Sequence, residues 1–175
     1  LSVNLWGVIH GIRSFVPILL EQGEEGHIVN TASMAAVIHM PFNAAYTLSK
    51  HAVMSLSETL YHELRMKQST IGVSVVCPEL VATRIGDAER NRPPHLKRAS
   101  EEESSPERKL LEQAIRTSTT QMGISPDAIA ERTLAAIREN RFYVLAEDDW
   151  KRAADVRCED VRLARNPTLV IPGSN

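Results

Sequence analysis

The sequence predicts an α/β protein with a doubly wound, mostly parallel sheet flanked by helices. Two observations predict it. Amphipathic helical segments alternate with short apolar runs through the first half of the chain. Those runs are continuous rather than alternating, as expected of strands covered on both faces. The 175 residues, 43% hydrophobic and 24% charged, suffice for one domain with a sizeable core.

The elements follow in order. Leu1 to about Gln22 reads as a helix, with Val8, Ile12, Phe15 and Leu19 at helical spacing. Pro17 lies late in it, where a proline kinks or shortens a helix, and Gly23 and Gly26 end the pattern. His27 to Ala32 is a short apolar run suited to a buried parallel strand. From Ser33 a loop of small residues carries Pro41. Tyr46 to about Lys67 is a second long helix with a stripe of Val53, Leu56, Leu60 and Leu64. Ile71 to Cys77 is another strand, closed by Pro78.

Composition changes after Thr83. Arg84 to Lys109 is dense in charge and proline, and reads equally as a mobile lid or a disordered insertion. Glu107 to Met122 reads as an amphipathic helix through Leu110, Leu111, Ala114, Ile115 and Ser118. Ser125-Pro126-Asp127 is a helix start, with a capping serine, a first-turn proline and an aspartate at the positive end of the dipole. This helix is expected to reach about Arg138, and Phe142 to Leu145 to form a last short strand. The expected organisation is one domain over 1–148, with a substrate loop or lid at 84–122 and a charged tail at 149–175.

Composition also bounds function. A net charge of −2 gives no general pull toward nucleic acid or anionic lipid. No run of about 18 or more uncharged apolar residues is present, so a membrane span is not expected. The chain opens on Leu1-Ser2-Val3-Asn4, inside an apolar pattern, without an initiator Met, a basic leader or a cleavage site. It is expected to be part of a longer chain rather than to begin with a signal peptide. Cys77 ends an apolar run and reads as a buried thiol, and Cys158 lies far away, so a reducing cytoplasm is the expected compartment. The histidines His10, His27, His39, His51, His62 and His95 show no metal-ligand spacing, and no metal is expected.

The candidate chemistry begins with Tyr46 and Lys50, four apart on one helix face. An ammonium beside a phenol favours the phenolate and brings proton exchange with an alcohol or carbonyl oxygen toward neutral pH. Alone, such a pair is as readily an amphipathic tyrosine and a surface lysine. Its surroundings add weight. Ser33 follows the apolar strand directly, at the carboxyl end where parallel sheets bind ligands. A hydroxyl there can donate to a developing oxyanion. Asn4 is a polar residue inside an otherwise apolar helix, where asparagine is mildly unfavourable.

Together, Asn4, the run Ile28-Val29-Asn30-Thr31-Ala32-Ser33-Met34-Ala35, the run Tyr46-Thr47-Leu48-Ser49-Lys50 and the run Cys77-Pro78-Glu79-Leu80-Val81-Ala82-Thr83 resemble successive motifs of the short-chain dehydrogenases/reductases, in that family's order and spacing. The resemblance covers about Leu1 to Thr83, with a looser match through Tyr143. It implies an incomplete Rossmann-type sheet and hydride transfer between NAD or NADP and a secondary alcohol or ketone. It further implies Tyr46 as general acid/base. Lys50 would lower the pKa of Tyr46 and bind the nicotinamide ribose. Ser33 would polarise the substrate carbonyl, and Asn4 would hold a relay water. Pro78, Val81 and Thr83 would line the nicotinamide. In the family, helices matching 1–22 and 46–67 pair across a two-fold axis, so a homo-oligomer is expected. Trp6, Phe15, Val53 and Leu60 are the contact candidates, with packing on the chain's own sheet as the alternative.

Three departures stand out. Glu79 and Ala36 occupy positions where the family commonly has glycine. The Gly-rich turn for the pyrophosphate is not found among the eight glycines. The chain alone is therefore expected to bind cofactor poorly and to be inactive. Two rival readings remain: an epimerase or dehydratase using the same Tyr/Lys pair, and a non-catalytic dimerisation or binding module. The substrate is expected to be a small alcohol or carbonyl compound. Met34, Val37, Met40 and Phe42, with Ile38, are the candidates for an apolar pocket wall.

Overall fold

The computed structural model describes residues 1–96, 106–146 and 148–172. Along the chain the elements are a π-helical turn (Ser2–Trp6) leading into α1 (Gly7–Gln22), then β1 (Gly26–Thr31), α2 (Ala44–Met66), β2 (Ile71–Cys77), α3 (Pro106–Gln121), α4 (Pro126–Arg138), β3 (Tyr143–Leu145) and α5 (Asp148–Arg162). They form two compact units: Leu1–Glu79 with Ala130–Asn175, and Leu80–Ile129.

The first unit holds a parallel sheet of order β1-β2-β3 among the described residues. Gly26 to Thr31 align with Ile71 to Val76, and Val75 to Cys77 with Tyr143 to Leu145. Every residue of the central strand β2 is buried. That is why its sequence runs apolar without alternation. Its one polar side chain, Ser74, is satisfied: the hydroxyl donates to the Arg141 carbonyl at 2.7 Å and lies 2.8 Å from His27 Nε2. Since the serine proton is spent on a carbonyl, His27 must donate through Nε2.

α2 packs its Val53, Leu60 and Leu64 face on this sheet, with Leu56 only half-buried. One core cluster gathers Ala32, Met34, Val53, Met54, Val75 and Cys77; a second gathers Leu60, Leu64, Ile71 and Val73. Val53 and Leu60, expected as possible subunit contacts, are thus core residues, 0% and 5% exposed. The sheet needs that whole face. α1 borders the two clusters through Val8, Ile12, Val16 and Leu19. Phe15, expected in that stripe, is 63% exposed instead. Val8, Phe15 and Val16 all fit a broad helical stripe, and the packing partner selects the Val16 side.

α1 continues past the exposed Pro17 to Gln22, and Gly23, at φ 67°, caps it in the left-handed region. By length and composition the helical stretch Ser2–Gln22 is apolar enough to cross a membrane, although it holds no uninterrupted uncharged run of that length. This helix instead carries Arg13 and Glu21 within a high mean hydropathy. Its Val8, Ile12, Val16 and Leu19 stripe nevertheless lies against the core.

In the second unit, short 3-10 segments span Arg84–Asn91 and Pro94–Leu96. Residues 97–105, the middle of the segment read as a lid or disordered insertion, lie outside the described residues, as do 173–175 of the tail. Asp87 sits 3.6 Å from Arg84 and 3.3 Å from Arg116 of α3, joining turn to helix. Val81 bridges Ile124 in parallel. Ser125 Oγ accepts the Ala128 N–H at 3.1 Å, the cap that the sequence announced. In the first unit, the charged stretch after Asp148 is helical over 15 residues, with Ala153 and Asp160 buried.

Candidate active site

β1 and β2 end side by side, and their exits are stitched together. The Ala32 N–H donates to Val76 O at 2.8 Å and the Met34 N–H to Pro78 O at 3.0 Å. Ser33 is extended (φ −177°) and opens a 3-10 turn, Met34–Ala36. Its Oγ accepts the Ala35 N–H at 3.2 Å. A serine whose oxygen is held in this way still has its own proton to give.

α2 packs against that turn and against the π-helical turn that bears Asn4. Tyr46 lies in its first turn and Lys50 one turn later, both half-buried. The Lys50 ammonium donates to the Thr31 carbonyl at 3.0 Å, at the carboxyl end of β1. It also lies 5.7 Å from the centroid of the Tyr46 ring. Burial holds Lys50 below its ordinary value, with the Cys77 sulfur opposing. Cys77 itself is pushed up to about 12, chiefly by burial, so it is a packing thiol. The helix around Asn4 is distorted rather than regular. The N–H groups of Leu5 and Trp6 both donate to the Leu1 carbonyl, at 3.0 and 3.2 Å. π-turns of this kind often sit at functional sites.

Among the expected wall residues, Val37 and Met40 are half-buried and Phe42 is 71% exposed. Met34 is 0% exposed and enclosed by the core, so its side chain presents nothing to a ligand. Phe42 has φ 62°, a left-handed conformation that costs a bulky side chain about 1–2 kcal/mol. Such strain gathers at functional loops. Glu79, at a position of common glycine, reaches Arg132 at 3.0 Å and leaves Oε2 buried without a partner. In the second unit, Thr83 Oγ1 accepts the Ile85 N–H at 3.4 Å, and the Thr83 N–H donates to Val81 O at 2.7 Å. Sequence reasoning missed the Thr31 carbonyl, which has no side-chain signal, and the Glu79–Arg132 pair, whose members lie far apart in sequence.

Comparison with known proteins decides the family. Residues 1–93 match the short chain dehydrogenases. The chain belongs to the short chain dehydrogenase family. A short chain dehydrogenase/reductase from Burkholderia phymatum, solved in complex with NAD, superposes with a TM-score of 0.90 at 40% identity, over 97% of this chain and 59% of that one. The 1-deoxy-11-beta-hydroxypentalenate dehydrogenase of Streptomyces avermitilis is 32% identical over 91% of this chain and 50% of its own length. The CLA biosynthesis dehydrogenase/reductase of Lactiplantibacillus plantarum is 25% identical over 92% and 56%. The chain thus spans about half the length of the curated relatives it matches. The parallel sheet with flanking helices is the Rossmann-type arrangement of these short chain dehydrogenases.

Proposed function

We propose that this short chain dehydrogenase is an NAD(P)-dependent oxidoreductase that interconverts a secondary alcohol and a ketone, with Tyr46 as general acid/base. One observation carries the reading: Lys50 is anchored to the Thr31 carbonyl at the carboxyl end of the sheet, one turn from Tyr46. The residues present suit the nicotinamide-ribose half of the cofactor. An ammonium has three donors; Lys50 spends one on Thr31 and keeps two for a pair of ribose hydroxyls. Tyr46, Lys50, Asn4 and Pro78 of the first unit would hold that half. The likeness to an NAD complex supports a nicotinamide cofactor.

When bound, the cofactor supplies or takes up the hydride. In the reducing direction Tyr46 gives its phenolic proton to the carbonyl oxygen as charge builds there. Ser33 donates to the same oxygen, its Oγ lone pair already held by Ala35. The cation of Lys50 favours the phenolate that Tyr46 leaves behind. Asn4 holds a water through which Lys50 returns the proton. Val37, Met40 and Phe42 form an apolar substrate wall, and Met34 is left out because the core encloses it.

The test, made on a protein that carries this chain together with a Gly-rich cofactor turn, is consumption of NADH and NADPH, followed by absorbance, with a panel of ketones and secondary alcohols. Tyr46→Phe should lower turnover by about 10²–10⁴-fold with an unchanged fold by circular dichroism. Retention of most activity would overturn the assignment.

The reading includes a homo-oligomer through α1 and α2. Trp6 (50%) at the end of the π-helical turn and Phe15 (63%) and Ile18 (50%) on α1 stay exposed, apolar surface that a second copy would cover. Sedimentation should show an oligomer that Phe15→Glu dissociates; a monomeric parent protein contradicts it.

A further inference from the structure

A second concave site, whose lining includes neither Tyr46 nor Lys50, lies within the first unit. It is a cavity of about 240 Å³ where the loop after Ser33 meets α5 and the tail. Ile38, Val161 and Pro167 give it apolar walls; His39 and Arg157 give it polar ones. His39 stacks on His51 of α2 with ring centroids 4.7 Å apart. The His51 Nδ1 faces the Thr47 carbonyl at 3.1 Å, so that nitrogen carries a proton, and Nε2 is buried without a hydrogen-bond partner.

The charges here do not balance locally. Burial first, then His51 and then the Arg157 charge hold His39 below its ordinary value; burial holds His51 below its own, with the Thr47 carbonyl opposing and Arg157 adding to the shift. The facing carboxylate, Asp160, is already committed. Its Oδ1 takes Arg165 at 3.0 and 2.9 Å and its Oδ2 takes the Thr168 N–H at 2.8 Å. Arg165 is further engaged by Glu159 at 2.9 Å. Among the described residues, no carboxylate lies within ion-pair distance of Arg157. A guanidinium beside two imidazoles and an apolar wall, with its one facing acid neutralised, is complementary to an anion with an apolar body. The volume lies below the roughly 300–1,000 Å³ of sites for drug-sized ligands, so the occupant is small.

We propose that this cavity binds a small amphipathic carboxylate, its head meeting Arg157 and His39 and its body lying on Ile38, Val161 and Pro167. The site does not depend on the proposed reaction. The groups that set its pH response are His39 on the loop, His51 on α2, Arg157 and Asp160 on α5, and Arg165 on the tail. A bound carboxylate favours the imidazolium, so affinity rises as pH falls through the imidazole range below ~6.5.

Benzoate is a suitable probe, titrated into the protein while the histidine ring signals are followed by NMR, with His39 assigned through His39→Gln. Saturable shifts at His39, a raised His39 pKa under benzoate, and no response to benzyl alcohol are expected. Arg157→Gln should weaken binding by about tenfold or more, and Arg157→Lys by less. The proposal is overturned by the absence of saturable His39 shifts in the parent protein. It is equally overturned if inorganic phosphate binds as tightly as benzoate, or if Arg157→Gln binds unchanged.

Discussion

The Lys50 ammonium donates to the Thr31 carbonyl at 3.0 Å, tying the second turn of α2 to the last residue of β1. That bond fixes where the cation sits relative to Tyr46. Lys50→Ala removes both the charge and the tie. Turnover should fall by about 10²-fold or more, and NAD(P)H affinity, read by fluorescence titration, should fall with it. Lys50→Arg keeps the charge, but its planar fork does not reproduce a point donor on one carbonyl, so it should recover only part of either quantity. A variant losing turnover with unaltered cofactor affinity would separate Lys50 from the ribose.

His27 offers a pH test. Burial lowers its pKa from 6.5, and it donates through Nε2 to Ser74. The unfolded chain therefore binds more protons than the folded one between 6.5 and the lower folded value. Stability rises with pH wherever that is so. The stability tied to neutral His27 is complete above 6.5 and is lost as pH falls from there through the folded value. His39 and His51 act in the same direction. Urea midpoints measured across this range should fall toward acid, and His27→Gln should flatten the slope without abolishing it. A slope unchanged by His27→Gln would remove His27 from the account.

Beside that pair, a Cβ on Gly72 would strike the His27 ring and the Asn140 side chain. The imidazole is held by Ser74 and has little freedom to retreat. Gly72→Ala should therefore destabilise by about 1–3 kcal/mol, read as a lower melting temperature, although alanine is ordinarily the better strand residue.

The sheet and its helices were legible because burial on both faces writes an unbroken apolar run, as in Ile71 to Cys77, and a one-sided helix writes a stripe, as in Val53, Leu60 and Leu64. What a stripe cannot state is its partner. Val53 and Leu60 read equally as core or interface, and Phe15 and Val16 compete for one edge of α1. Tyr46, Lys50 and Ser33 stand out in the sequence as candidates for chemistry because their side chains carry it. The Thr31 carbonyl does not, since a backbone acceptor has no letter of its own. Asp160 reads as solvated charge until Arg165 and the Thr168 N–H close around it.

Phe42 separates strain from function. At φ 62° it occupies a backbone region that glycine enters freely. Phe42→Gly should release about 1–2 kcal/mol of strain while costing about 0.5–1 kcal/mol in chain entropy, so its melting temperature should stay level or rise slightly. If the ring forms part of the substrate wall, KM for an apolar ketone should rise while kcat changes little, since the ring contributes binding and no proton. A variant with unchanged KM would show that the strained loop serves something other than substrate.

The two cysteines make contrasting reporters of the core. Cys77 is buried in the central strand with its thiol pushed up to about 12, whereas Cys158 is exposed on α5. Thiolate is the reactive form. In the folded protein near pH ~8, iodoacetamide should modify Cys158 rapidly, and Cys77 only as fast as the sheet opens. Mass spectrometry across a urea series should show Cys77 labelling rising with global unfolding, because β2 is buried along its whole length and cannot expose its last residue by fraying at an edge. Labelling of Cys77 at the rate of Cys158 in the absence of urea would mean that the carboxyl end of β2, and with it the floor beneath Lys50, opens independently of the sheet.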